Sequence, residues 1–154
     1  MNLTPPDSSW RALAVGSFVT LVLVVVAWNA AAYAIDASAL EGDEEGWGVL
    51  FGSAIASVIY GGLPLVLSLV AVLVAGFGSP GKARAAAWCV AVLSLLCAIG
   101  LVAVGLLTVG GKPAETAFAA VSFVLALVLA TPLVLCIRRS RSERAEVAGA
   151  VAAA

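Results

Sequence analysis

Four long stretches of this chain carry no charge, and that spacing constrains its fold more than any other feature. Arg11 and Asp36 bracket 24 uncharged residues (12–35), and Glu45 and Lys82 bracket 36 (46–81). Arg84 and Lys112 bracket 27 (85–111), and Glu115 and Arg138 bracket 22 (116–137). About 20 apolar residues, rising 1.5 Å each, cross a hydrocarbon core roughly 30 Å thick. Inside lipid every backbone amide must bond within its own segment, so each stretch is expected to be helical. The composition agrees. Of 154 residues 63% are hydrophobic and 11% charged, with mean hydropathy +1.14, against about 45–50% and about 25% in a soluble domain. The fold class expected is all-α: a polytopic four-transmembrane-helix bundle over residues 1–137, with helices at about 10–35, 49–75, 83–109 and 115–137. A basic tail, 138–154, is expected to be disordered.

Basic residues orient the bundle. Arg11, Lys82, Arg84, Arg138, Arg139, Arg141 and Arg144 fall on one side, with Lys112 alone opposite. The positive-inside rule places that side in the cytoplasm, with both termini, and the acidic loop from Glu41 to Glu45 outside. A competing reading takes residues 1–34 as a cleaved leader, since Ala32-Tyr33-Ala34 fits a small-x-small site. The single Arg11 is offset by Asp7, however, and the apolar run Ala12–Ala27 exceeds the 7–15 residues of a leader core. Helix 1 is therefore read as retained. Alanine-rich usage and arginine over lysine suggest a bacterial source, hence the inner (plasma) membrane.

Several familiar motifs are matched only in spelling. Gly76, Gly78 and Gly81 space as GxGxxG, and Gly76 to Lys82 as a phosphate loop. Ala83 stands where magnesium binding needs Ser or Thr, and no strand precedes the loop. It reads as an inter-helix turn, with Ser79-Pro80 opening helix 3. The acidic outer loop lacks the alternating oxygen ligands of a calcium loop. Cys89, Cys97 and Cys136 form no CxxC and no paired metal-ligand spacing, so they read as small hydrophobes. The chain has no histidine and no carboxylate deep in a span, which removes the usual players of acid–base and metal catalysis. Small multidrug exporters share the helix count but depend on a glutamate inside helix 1; here Val19–Ala27 contains none. Neither a cofactor, a metal nor nucleic acid is expected.

Small side chains drive association of helices in lipid. Spacing gathers Gly16, Thr20, Ala27 and Ala34 on helix 1, and Ser53, Ser57, Tyr60, Pro64 and Ser68 on helix 2. It gathers Ala87, Ala91, Ser94, Ala98 and Gly105 on helix 3, and Ser122, Ala126 and Ala130 on helix 4. Each stripe is expected to face a neighbour. The prolines predict kinks, at Gly61-Gly62-x-Pro64 and near Thr131-Pro132. Trp10 and Trp88 at one end, and Trp28 and Trp47 at the other, are expected to form interfacial belts.

Asn29, Tyr33 and Asp36 share one face in the outer third of helix 1. With Ser53, Ser57, Tyr60 and Thr108 they define a candidate polar pocket; hydrogen-bond glue plus an interfacial carboxylate is the alternative. The function expected is that of a non-enzymatic membrane protein acting through helix packing: an accessory, immunity-type or envelope subunit. A small oligomeric transporter or channel using the polar pocket is the second reading. Expected partners are the bilayer, further copies or a larger membrane complex, and anionic lipids at Arg138, Arg139, Arg141 and Arg144.

Overall fold

A computed structural model describes residues 6–39, 55, 58–77, 79–109 and 113–152. All of the regular structure described is helical: α1 (Pro6–Ala39), α2 (Leu63–Phe77), α3 (Pro80–Thr108) and α4 (Pro113–Ala152). Three of these, α1, α3 and α4, are long and apolar enough to cross a membrane; α2 is a shorter apolar helix. A π-helical turn, Val58–Gly62, precedes α2. The first part of the expected helix 2, residues 49–57, lies outside the described residues apart from Ile55.

Local chemistry sets the boundaries. Both α3 and α4 start on a proline, whose missing N–H is no loss where the first-turn amides lack partners anyway. Before α3, Ser79 accepts from the amides of Lys82 and Ala83 through its carbonyl. In α4, Pro132 deprives the Val128 carbonyl of its amide partner. The adjacent Thr131 hydroxyl donates to that same carbonyl at 2.6 Å, and the helix runs on without interruption.

The tail differs from expectation. Helix α4 continues through residues 138–152, where composition suggested disorder. Alanine, arginine and glutamate are strong helix formers, and Arg139 and Glu143 pair at i,i+4 spacing, 3.6 Å apart. A helix already propagated from the bundle adds such residues without a new nucleation step.

The helices alternate in direction, and α3 packs against all three others. The starts of α1 and α3 and the C-terminal part of α4 meet at one end, where Trp10, Arg84 and Glu143 touch; this is called the basic end below. There the buried core is mostly alanine, with Ala14, Ala83, Ala87 and Ala91 packed around Trp10 and Cys136. Further along, Leu21 and Val24 of α1 meet Ala98 of α3 and Ala126 and Leu129 of α4.

The small stripe of α3 is buried as a unit: Ala87, Ala91, Ser94, Ala98 and Gly105 all lie inside. A Cβ on Gly105 would come within 3.0 Å of the Phe123 ring, and one on Gly61 within 3.1 Å of Val25. Helix α1 reverses its expected face. Its interior side is Trp10, Ala14, Ser17, Leu21, Val24 and Trp28, whereas Gly16, Ala27 and Ala34 are exposed. The cause is complementarity. Neighbours lined with alanine and serine leave room that large side chains must fill, so Trp10, Leu21, Val24 and Trp28 point inward beside Ala14 and Ser17, while Gly16, Ala27 and Ala34 turn outward.

Candidate functional site

Three places hold polar or irregular structure. The first is the group on α1. Asn29, half-buried, donates its side-chain N–H to its own helix at the Val25 carbonyl, 2.7 Å away. Tyr33, one turn on, is 69% exposed. Thr108 on α3 likewise turns back, donating to the carbonyls of Val104 and Gly105 at 3.0 and 3.2 Å. Asp36 lies within α1 and Tyr60 within the π turn, but their side chains, and Ser53 and Ser57 altogether, lie outside the described residues. Gly61 and Gly62 complete the π turn and Pro64 stands one residue into α2.

The second is a charged knot at the basic end, which the sequence did not announce. The Glu143 carboxylate accepts from the Trp10 indole N–H at 2.5 Å and lies 3.5 Å from the Arg84 guanidinium and 3.6 Å from Arg139. Arg84 also sits over the Trp10 ring, 5.5 Å from its centroid, within range of a cation–π contact. One carboxylate therefore joins α1, α3 and α4. Only the Arg139–Glu143 pair has a local signature, its four-residue spacing.

Two tryptophans correct the belt expectation. Trp10 is 4% exposed and Trp28 7%. Trp28 donates its indole N–H to the Ser122 hydroxyl at 3.3 Å, and its ring lies 5.6 Å from that of Phe118. Each indole thus buries its ring and finds a partner for its one donor, a demand that an interfacial ring meets with water instead.

The third is a cleft of about 310 Å³ between α1 and α4, lined chiefly by Gly16, Ser17, Thr20, Thr131, Pro132 and Leu135. Its hydroxyls are already engaged with their own helices. Ser17 donates to the Leu13 carbonyl at 2.7 Å, Thr20 to Gly16 at 2.9 Å and Thr131 to Val128 at 2.6 Å. The walls therefore offer methyl and methylene surface with few unspent donors.

None of the three cysteines is in a disulfide; the buried Cys136 thiol contacts the Ala87 carbonyl at 3.7 Å, tying α4 to α3. Among the described residues no group of histidine, cysteine, aspartate and glutamate is arranged to hold a metal ion. Comparison with family models, with curated proteins and with solved structures finds no match.

Proposed function

We propose that this chain is a multi-pass protein of the bacterial inner membrane, crossing it four times with both termini in the cytoplasm. In this reading it acts by helix packing, as an accessory, immunity-type or envelope subunit of a larger complex, and performs no chemistry of its own. The observation that carries the reading is the reversed face of α1. Large side chains fill the bundle, and Ala27, Ala30 and Ala34 are left exposed in the half of the helix away from the basic end. Small residues at such spacing let a second helix approach closely, which is what holds helices together in lipid. The interior favours the same reading, because at the basic end alanines pack around Trp10 and the Asn29 side chain donates to its own helix.

A second reading has one observation of its own. The π turn Val58–Gly62 leads into α2, whose second residue is Pro64, and such irregular helical turns often mark substrate sites in transporters. It favours a small oligomeric transporter or channel with Asn29, Tyr33 and Asp36 beside its path.

The test is a mild-detergent pull-down of natively expressed, C-terminally tagged protein, read by mass spectrometry. A stoichiometric partner is expected, lost when Ala27→Leu and Ala30→Leu roughen the exposed face. Recovery of a defined homo-oligomer without partner, with flux abolished by Asn29→Leu or Asp36→Ala, would overturn the packing reading in favour of transport.

A further inference from the structure

We infer that the cleft between α1 and α4 holds one acyl chain of an anionic phospholipid, with its phosphate held at Arg138 and Arg139. The inference rests on the membrane placement above but not on the packing role.

The cleft is the right kind of cavity at the right level. Its volume of about 310 Å³ lies at the small end of ligand-holding cavities, roughly 300–1,000 Å³. Gly16, in its lining, has nothing within 4 Å of where a Cβ would stand. The Ser17, Thr20 and Thr131 hydroxyls all donate to their own helices, so an apolar chain leaves those donors satisfied, whereas a file of water would find little to bond.

Charge complementarity names the headgroup. Arg138 and Arg139 lie three and four residues beyond Leu135, so they stand one turn past the cleft on the same side of α4. Between residues 138 and 146, α4 carries four arginines (Arg138, Arg139, Arg141, Arg144) against two glutamates (Glu143, Glu146). Glu143 is already shared by Arg84 and Arg139, and among the described residues Arg138 is exposed and pairs with no carboxylate. A phosphate completes this set.

A second copy of the chain fits less well. A helix is about 10–12 Å across, too wide to enter such a cleft, and docking it would bring two sets of these arginines together. Hydrocarbon gains little by leaving bulk lipid for an apolar wall. Selectivity therefore comes from the headgroup, and shape fixes the position.

The full-length protein in mild detergent is offered equal amounts of phosphatidylglycerol and phosphatidylcholine with matched acyl chains, and retained lipid is counted by native mass spectrometry. One phosphatidylglycerol per chain is expected. Gly16→Leu, which fills the cleft, should lower its occupancy about tenfold. Ala12→Leu, another wall position one turn away, carries the same expectation should Gly16→Leu fail to fold. Arg138→Gln with Arg139→Gln should keep a lipid but lower the preference for phosphatidylglycerol by about thirtyfold. Equal retention of the two lipids by the native protein overturns the proposal, as does full occupancy in the filled variants. A dimer that Gly16→Leu splits without loss of lipid would assign the cleft to a second copy. No bound lipid on the native protein, with partner capture intact, would overturn this inference alone.

Discussion

Glu143 is the residue on which the basic end depends, because three partners from three helices converge on it. Its two ion pairs are half-exposed and contribute little by themselves. The Trp10 N–H is different: it is buried, and an orphaned buried donor costs about 1–3 kcal/mol. Glu143→Ala is therefore expected to destabilise by that amount in a thermal melt in detergent. Glu143→Gln, which keeps an acceptor oxygen, should recover most of the loss; equal losses in the two variants would assign the effect to charge. Legibility at this scale was uneven. The α3 stripe from Ala87 to Gly105 could be read from spacing, because small residues recurring at helical intervals mark a face on which neighbours pack closely. The knot could not be read, since Trp10 and Glu143 are 133 positions apart and no local pattern links them. Nor could the burial of Trp28, because a tryptophan near a helix end suits both an interface and a core with one hydroxyl in reach.

At the scale of the element, the instructive case is α4. Proline inside a helix commonly costs about 3 kcal/mol through a lost amide and a clash, yet α4 passes Pro132 unbroken. The Thr131 hydroxyl on the Val128 carbonyl supplies part of what the proline removes. Thr131→Val is then expected to destabilise by about 1 kcal/mol. In Pro132→Ala, where the amide is restored, the same change should cost nearly nothing. A double-mutant cycle measured by detergent melts gives the difference, and simple additivity would refute the compensation. Sequence located both prolines but not their outcomes. Pro64 follows a π turn, whereas Pro132 sits in continuous helix with the Thr131 hydroxyl on the freed carbonyl. The helical tail was missed for a related reason: composition describes an isolated segment, whereas residues 138–152 extend a helix already formed.

For the whole molecule, the arrangement of α1 to α4 makes a topological prediction. The starts of α1 and α3 and the C-terminal part of α4 gather at one end, the end holding seven of eight basic residues of the chain. Reporter fusions after residue 154 and within 78–82 are both expected to report the cytoplasm, and a fusion within 110–112 the opposite side; any other pattern would sink the four-span reading. Helix number and direction were legible because they follow from where charge is tolerated. Which face of α1 turns inward was not, because that depends on the volume its neighbours leave, a property of the assembled bundle and of no single helix.

The contact between Trp10 and Glu143 also bears on how the chain is made. A ribosome delivers Trp10 first and Glu143 only after α2, α3 and most of α4 have emerged. Until then the indole has no carboxylate, and Arg84 lacks the anion that shares it. A chain halted before residue 143 leaves α1 and α3 without the carboxylate they share. Glu143 thus closes the basic end last among the parts it joins.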